Sequence, residues 1–339
     1  MTEPLLEVTD LTVEFPGRHG TVRAVDDVSF TLGRGEIIGL VGESASGKSS
    51  LGLALMRTVP SPGRVTAGSI RLEGEDLAML SEAQMRHVRG SRISLIVQDA
   101  LATMNPVTTI GEQIEEVIRD HSERFSRTER RTRAAAMLSE VRLPNVAQNL
   151  RRFPHQLSGG MQQRVVIAEG LVLDPQVIIA DEPTTALDVT VQAQILTLLR
   201  EVCETRGTSI VFVTHDLATV AEICDRVMVM YAGRIVESGT VREVFRRPAH
   251  PYTKALLNGL LPLTGESPEV LEALPGQPPR PEEWPTGCRF HPRCPLRAAL
   301  GDPEICTTRD PHVDESVPHW AACHFSDLNQ PVPDEEVTR

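Results

Sequence analysis

The chain has 339 residues, 40% hydrophobic and 24% charged, which is ordinary for a globular protein with one large domain or two smaller ones. The formal net charge of −12 argues against a nucleic-acid-binding protein, because such proteins normally present a basic face. No stretch approaches the ~20 apolar residues of a membrane-spanning helix, and the first residues lack a secretion-signal pattern, so we expect a soluble cytoplasmic protein that acts at a membrane only through partners.

The first hundred residues predict an antiparallel sheet followed by a buried strand and a helix. Short alternating apolar runs broken by glycines cover residues 5–32, which is typical of antiparallel strands and turns. The apolar run 37–41 leads into a glycine-rich loop and the helical run 50–56. Residues 70–72 and 93–97 predict two further strands.

The middle of the chain predicts helices and then a parallel sheet. Residues 110–140 have a helical pattern rich in Arg and Glu, most of which we assign to solvated helix faces. Apolar runs rich in β-branched residues follow at 177–180, 210–214 and 227–230, and they alternate with helical segments. This alternation predicts a mostly parallel, buried sheet.

The composition changes near Pro262, after which prolines become frequent. Proline fixes φ and lacks a backbone donor, so this segment favours neither a regular helix nor a central strand. We therefore predict a main domain at 1–262. A proline-rich linker and a small, irregular, cysteine-bearing tail are predicted at 263–339.

Residues 42–49 match the pattern G-x-x-x-x-G-K-[ST] between a predicted strand and a predicted helix. In such a loop, backbone N–H groups and a helix N-terminus form a cradle for phosphates. The lysine would reach the β- and γ-phosphates of a nucleotide, and the following serine would ligate Mg²⁺. The predicted nucleotide contacts are Gly42, Ser44, Ser46, Gly47, Lys48, Ser49 and Ser50.

A pair of carboxylates ends the apolar run at 177–180. Asp181 ends a buried strand near the phosphate loop, where it can hold Mg²⁺ directly or through water. Glu182 would face the γ-phosphate and is the candidate general base for the attacking water. A carboxylate pair can also serve only as a solvated strand end or helix cap, but the phosphate loop favours the catalytic interpretation.

Two more segments, Leu-Ser-Gly-Gly-Met-Gln-Gln-Arg at 157–164 and Thr-His-Asp at 214–216, complete a set of motifs in fixed order. The order and spacing of these motifs resemble those of the ATP-binding-cassette (ABC) family over about residues 5–262. The Ser-Gly-Gly segment is that family's signature. The resemblance implies an α/β ATPase with a mostly parallel sheet core, an antiparallel β subdomain and an α-helical subdomain at about 100–165.

The resemblance also assigns roles to single residues. Gln98 would touch Mg²⁺ or the attacking water, and His215 would contact the γ-phosphate and stabilise the transition state. The signature segment of one subunit completes the ATP site of another, with a helix N-terminus aimed at the γ-phosphate. The residues that the resemblance assigns to a subunit interface are Ser158, Gly159, Gly160 and Asp188.

Three positions need comment against the family pattern. Ala45 stands where family members usually carry glycine, and its methyl group would strain the loop if φ were positive. Ala100 stands where the closest relatives usually carry proline. For the aromatic side chain that stacks on adenine, the resemblance points to His19, with Phe15 as the alternative.

Several segments look like the oligopeptide and dipeptide importer branch of the family, above all 250–257 and 288–295. The resemblance implies an ATPase subunit at the cytoplasmic face of the cell membrane, working with two permease subunits and a second ABC ATPase, more often a different chain than a copy. An extracytoplasmic solute-binding protein would deliver the cargo. Importers of nickel, glutathione or opines, a soluble non-transport ABC protein, and a subunit that binds ATP without turnover are the alternatives.

The tail cysteines are separated by 5, 11 and 16 residues, without the tight pair that zinc sites usually use. In relatives of this branch, the matching cysteines can hold a [4Fe-4S] cluster, which needs four thiolates. Zinc and free thiols remain as alternatives. The candidate ligands are Cys288, Cys294, Cys306 and Cys323.

Overall fold

A computed structural model of the chain describes residues 3–17, 20–121, 125–185, 187–259, 274 and 276–329. The predicted domain boundary at 262 lies outside these residues, so the domain division stays a prediction. None of the helices within these ranges is long and apolar enough to cross a membrane.

The strands are β1 (Leu6–Gly17), β2 (Gly20–Leu32), β3 (Ile37–Val41), β4 (Arg64–Leu72), β5 (Glu75–Asp76), β6 (Ile93–Ile96), β7 (Val177–Asp181), β8 (Ser209–Thr214), β9 (Arg226–Tyr231), β10 (Arg234–Thr240) and β11 (Trp320–Ala321). The α-helices are α1 (Lys48–Leu55), α2 (Glu82–Ser91), α3 (Ala100–Thr103), α4 (Ile110–His121), α5 (Arg127–Glu140), α6 (Val146–Asn149), α7 (Gly159–Leu171), α8 (Val189–Arg206), α9 (Leu217–Ile223), α10 (Val241–Arg246), α11 (Pro251–Asn258), α12 (Pro295–Ala299) and α13 (Ile305–Thr308). Short 3-10 helices cover Leu77–Met79, Pro154–Gln156, Pro281–Glu283, His291–Arg293 and Asp327–Asn329.

The strands form two sheets. The smaller sheet has the order β2-β1-β4-β5 and is antiparallel. The larger sheet has the order β11-β10-β9-β3-β8-β7-β6, and its strands from β9 to β6 run parallel. Both sheets were expected from the sequence, and the predicted α/β fold class is confirmed.

The central strands of the larger sheet are apolar along their whole length. Every residue of β3 and of β8 is buried, because helices including α7 and α8 cover one face of the sheet and the antiparallel sheet with α1 covers the other. Burying one such Ile or Leu side chain contributes about 1.5–3 kcal/mol, so these strands anchor the fold. Their carboxyl ends are thereby held in fixed positions along one edge of the sheet.

The helical segment between β6 and β7 contains α3 to α7, and the predicted helices at 110–140 are confirmed as α4 and α5. In α4 the buried residues Ile110, Ile114 and Ile118 recur with helical spacing and pack into the main core. A capping box formed by Ser126 and Glu129 begins α5.

The cysteine-bearing tail consists of short helices and turns, but it is not separate from the main sheet. Its strand β11 pairs antiparallel with β10, with Trp320 opposite Ser238 and Ala321 opposite Glu237. Trp320 is buried in the same hydrophobic cluster as the antiparallel sheet. The sequence analysis did not predict this docking.

Candidate nucleotide site

The glycine-rich loop connects β3 to α1, and two of its glycines are required by close approach of other backbone. A Cβ atom on Gly42 would lie 2.2 Å from the carbonyl oxygen of Met230. A Cβ atom on Gly47, which has φ +110°, would lie 2.3 Å from the carbonyl oxygen of Ala24. Larger residues at either position would push the loop off the sheet edge.

The Lys48 side chain is buried inside this loop. Its Nζ donates hydrogen bonds of 2.9 Å to the carbonyl oxygens of Gly42 and Glu43, and it lies 3.4 Å from Oγ of Ser46. Burial lowers the pKa of Lys48, although nearby carboxylates oppose the shift. The ammonium group is therefore held where the loop would receive phosphates.

The catalytic candidates meet because they follow neighbouring strands. β6, β7, β8 and β3 lie side by side and run parallel, so the residues after their carboxyl ends share one sheet edge. Nε2 of Gln98 donates to Oε2 of Glu182 at 2.9 Å, and Nδ1 of His215 lies 2.9 Å from Oε1. Oγ of Ser49 lies 3.4 Å from Oδ1 of Asp181. The structure thus brings all three predicted catalytic residues together, beside the predicted Mg²⁺ ligands.

Glu182 is constrained in both backbone and side chain. Its φ is +47°, an unusual value for a non-glycine residue, and its N–H donates to the carbonyl of Val213 at 2.9 Å. Burial pushes the pKa of Glu182 upward. The hydrogen bonds from His215 and Thr185 and the charges of His215 and Lys48 outweigh that effect and hold the pKa below its ordinary value. The carboxylate is thereby kept ionised.

Asp181 has the opposite balance. Burial raises its pKa, the neighbouring charge of Glu182 adds to the rise, and Ser49 and Lys48 oppose it. A carboxylate that is costly to ionise alone gains from a cation beside it, which fits a Mg²⁺ ligand.

One pocket contains most of the predicted nucleotide contacts, and Gly42 lies behind it under Met230. Three lining residues were missed by the sequence analysis. Thr185 lies three positions after Glu182 and donates a hydrogen bond to its Oε2 at 2.8 Å. This short sequence separation is a signal that could have identified Thr185. Ala24 and Pro281 have no recognisable local pattern. The lining residues are Ala24, Ser44, Ala45, Ser46, Gly47, Lys48, Ser49, Ser50, Gln98, Glu182, Thr185, His215 and Pro281.

The signature segment lies elsewhere. Ser158 occupies the N-cap position of α7, but its side chain makes no capping hydrogen bond. A Cβ atom on Gly160 would lie 2.7 Å from Val191, which shows how closely α7 packs on α8. Asp188 caps α8 by accepting from the N–H of Val191 at 2.9 Å. None of the predicted interface residues is among those that line the nucleotide pocket of this chain.

The positions that depart from the family pattern can be placed in part. His19 lies outside the described residues. The ring of Phe15 packs against Gly63, where a Cβ atom would lie 2.3 Å away, and is not among the lining residues of the pocket. Ala45 has φ +63°, so the condition for strain is met. Ala100 is the first residue of α3.

The four tail cysteines line one small pocket, together with His250 and Phe290. Backbone N–H groups point at three of the sulfurs: that of Arg297 at Sγ of Cys294, 3.4 Å away, and those of Phe290 and Phe325 at Cys288 and Cys323 respectively. Burial raises the pKa of the Cys288 thiol to about 12. Within the described ranges, no three His, Cys, Asp or Glu side chains are placed to hold a metal ion.

The phosphate loop, the carboxylate beside it and the sheet order define an ATPase of the ATP-binding-cassette class. Residues 25–185 match the family ABC transporter, and residues 236–299 match the family Oligopeptide/dipeptide transporter, C-terminal region. The oligopeptide transport ATP-binding protein OppD of Salmonella typhimurium is 46% identical to this chain. The alignment covers 94% of this chain and 93% of the OppD chain. A putative peptide import ATP-binding protein of Brucella melitensis is 47% identical, covering 88% of this chain and 89% of its own.

Solved structures agree on the fold. The ATP-binding cassette MJ0796, in a dimeric post-hydrolysis state bound to ADP and Pi, superposes with a TM-score of 0.63 at 27% identity, covering 70% of this chain and 99% of that one. The chain therefore belongs to the ABC transporter family, as an ATPase subunit of the branch that carries the oligopeptide/dipeptide transporter C-terminal region.

Proposed function

We propose that this chain hydrolyses ATP to drive the import of oligopeptides or dipeptides through partner permease subunits. The observation that carries the ATPase assignment is the Glu182 carboxylate, held by Gln98, Thr185 and His215 beside the phosphate loop. The cargo class is supported by the match of residues 236–299 and by relatives that are named peptide import ATP-binding proteins.

The loop residues prepare the triphosphate for attack. Incoming phosphates replace the carbonyl oxygens of Gly42 and Glu43 as partners of the Lys48 ammonium group. Ser49, Asp181 and Gln98 would hold Mg²⁺, which the 3.4 Å contact between Oγ of Ser49 and Oδ1 of Asp181 supports. When bound, this ion neutralises charge on the β- and γ-phosphates.

Glu182 then acts as general base. A water molecule beside it attacks the γ-phosphorus, forming one P–O bond while the bond to the bridging oxygen of ADP breaks, and the water proton moves to the carboxylate. His215 lies within hydrogen-bond distance of Oε1 of Glu182, so it orients the base and faces the transferred phosphoryl group.

A second ATPase subunit completes the site. Ser158 is the N-cap of α7, and Gly159 and Gly160 are its first residues. They do not line the nucleotide pocket of their own chain, and a helix N-terminus favours phosphate, which supports their assignment to the nucleotide of a neighbouring subunit. ATP held between the two subunits favours a closed pair, and hydrolysis releases it. The pair would sit on two permease subunits at the cytoplasmic face of the membrane, with an extracytoplasmic solute-binding protein delivering cargo.

Transport tests this proposal directly. The chain is co-produced with its permease subunits and partner ATPase, reconstituted into proteoliposomes, and supplied with ATP, the solute-binding protein and labelled peptides. We expect ATP-dependent peptide uptake that Glu182→Gln abolishes. Uptake of nickel, glutathione or opines in place of peptides would contradict the cargo assignment and leave the ATPase assignment standing.

We also propose that the tail cysteines hold a [4Fe-4S] cluster. The four thiols share one pocket and three of them receive backbone N–H groups, so they would hold the cluster as its four thiolate ligands. Anaerobically purified protein should contain iron and sulfide in equal amounts and absorb in the visible range. Cys288→Ser should lose both signals, whereas Cys224→Ser, a buried thiol outside the pocket, should keep them. Zinc without iron, or no metal, would overturn the assignment.

The domain division remains part of the proposal, with the nucleotide-binding domain at 1–262 and the linker and extension at 263–339. The pairing of β11 with β10 supports an extension that packs on the first domain.

A further inference from the structure

The C-terminal extension contacts the phosphate loop through an ion pair whose arginine is buried. Arg293 immediately precedes Cys294, and only 7% of its surface is exposed. Its Nη1 lies 2.7 Å from Oε2 of Glu43, and its Nη2 lies 3.1 Å from Oε1. This two-pronged geometry is the strong form of an arginine–carboxylate contact. Glu43 is the second residue of the phosphate loop, so the extension contacts the loop directly.

The remaining polar groups of Glu43 are also engaged. Its N–H donates to the hydroxyl of Tyr252 at 2.9 Å, and its carbonyl oxygen accepts from Nζ of Lys48 at 2.9 Å. The side chain and the N–H are therefore held by the C-terminal part of the chain, while the carbonyl holds the phosphate-binding lysine. Moving Glu43 would move the rest position of Lys48.

A packed aromatic cluster keeps Arg293 and Tyr252 in place. The ring centroids of Tyr231 and Tyr252 are 4.6 Å apart, and those of Tyr231 and Phe290 are 5.3 Å apart. Nη1 of Arg293 lies 3.3 Å from the Tyr231 hydroxyl. Because this cluster is buried, the arginine has little freedom to leave Glu43.

The extension supports the other end of the loop as well. The N–H of Gly233 donates to the carbonyl of Ser46 at 2.8 Å, and a Cβ atom on Gly233 would lie 2.1 Å from the Trp284 ring. The Arg289 guanidinium stacks over Trp284 at 3.9 Å. Pro281, from the same segment, lines the nucleotide pocket.

We propose that Arg293 is a positioning residue for nucleotide binding, which holds the phosphate loop in its phosphate-receiving shape through Glu43. The C-terminal extension is then a part of the ATP site, in addition to any role of its cysteines. This inference deepens the proposed ATPase function and rests on it. Removing Arg293 leaves the partly buried Glu43 carboxylate without its charge partner, so the loop should relax and bind phosphates less tightly. The side chains that hold Glu182 are Gln98, Thr185 and His215, none of which this variant changes, so the chemical step should be spared.

The test separates phosphate binding from turnover. Arg293→Met, Arg293→Lys and Glu43→Gln are compared with the unmodified chain for binding of MgATP and of inorganic tripolyphosphate by calorimetry, and for KM and kcat in the assembled transporter. Arg293→Met should weaken both ligands about tenfold and raise KM, with kcat nearly unchanged. Arg293→Lys should recover part of the affinity, because lysine keeps the charge but not the fork. The double variant Arg293→Met with Glu43→Gln should cost little more than either change alone.

Arg309→Met is the matched control, since Arg309 lies in the same extension and is exposed. Unchanged affinity in Arg293→Met, or an equal loss in Arg309→Met, would overturn the inference. If Arg293→Met does not fold, the test depends on Glu43→Gln. An unchanged MgATP affinity of Glu43→Gln would then overturn the inference. Failure of the ATPase assignment would look different, because the unmodified chain itself would then show no turnover.

Discussion

Nδ1 of His215 lies 2.9 Å from Oε1 of Glu182, while Gln98 and Thr185 donate to the opposite oxygen. The carboxylate is therefore held at both oxygens by residues that follow three different strands: Gln98 after β6, Thr185 after β7 and His215 after β8. Such an arrangement fixes both the ionisation and the direction of the base before nucleotide arrives.

Glu182→Gln should abolish turnover and preserve ATP binding. The amide keeps the size and two of the hydrogen-bonding positions of the carboxylate but cannot take a proton from water. We expect ATP hydrolysis by the assembled transporter to fall about a hundredfold or more, with MgATP affinity changed less than threefold. Glu201→Gln, an exposed change of the same chemistry on α8, is the control. Unchanged turnover in Glu182→Gln would remove Glu182 as the base.

Thr185→Val should shift the acid limb of the pH profile. Glu182 must be ionised to act, so activity is lost as pH falls through its pKa, which the structure holds below the ordinary 4.5. Removing the Thr185 hydrogen bond raises that pKa, because one of the groups that stabilise the charged form is gone. The acid side of the curve of kcat against pH should therefore move to higher pH. Thr205→Val, on the exposed side of α8, should leave the profile in place. A shift to lower pH in Thr185→Val would contradict the account.

Ala45→Gly should strengthen nucleotide binding. Ala45 adopts φ +63°, where a Cβ atom costs about 1–2 kcal/mol and glycine costs little. If the nucleotide-bound loop keeps this conformation, relief of the strain favours it over alternatives. We expect the dissociation constant of MgATP to fall by up to about tenfold, measured by calorimetry. Ala54→Gly, inside α1, serves as the control for adding a glycine near the loop and should not improve binding. Weaker binding in Ala45→Gly would show that the methyl group is useful there.

Glu169→Gln should remove a pH dependence of stability. Burial on α7 raises the pKa of Glu169 from 4.5 to about 7, and its Oε1 lacks a hydrogen-bond partner within the described part of the chain. The folded chain keeps this proton where the unfolded chain has lost it. Its unfolding free energy therefore falls as pH rises from about 4.5 to about 7, by up to about 3 kcal/mol.

The amide variant carries no charge, so it should be more stable than the unmodified chain at pH 8 and similar to it near pH 4.5. Urea unfolding at both pH values measures the difference. Glu222→Gln, an exposed change on α9, controls for the loss of one negative charge. The same stability difference between Glu169→Gln and the unmodified chain at both pH values would mean that folding does not raise the pKa of Glu169.

The fold, and the meeting of the candidate site residues at one sheet edge, could be predicted from the sequence for a physical reason. Strands such as β3 and β8 are buried on both faces, so their composition is uniformly apolar and visible without a structure. Glu182 and His215 each follow a strand directly, and Lys48 ends the loop that follows β3, so their meeting at one sheet edge could be inferred from topology alone.

Contacts that depend on distant packing could not be inferred in this way. Arg293 and Glu43 are 250 positions apart, and neither lies in a periodic pattern that would point to the other. The strand β11 has two residues, too few for alternation to be read. Pro281 was assigned to a linker because prolines are frequent there, although it lines the nucleotide pocket.

The central claim is that ATP is bound between the phosphate loop of this chain and the Ser158–Gly160 segment of a neighbouring ATPase subunit. A cryo-electron-microscopy structure of the assembled transporter, trapped with MgATP by Glu182→Gln, tests it most directly. We predict a nucleotide whose γ-phosphate contacts Lys48 of this chain and the Ser-Gly-Gly helix start of its partner. A fully occupied nucleotide that contacts one chain alone in the trapped state would contradict the account.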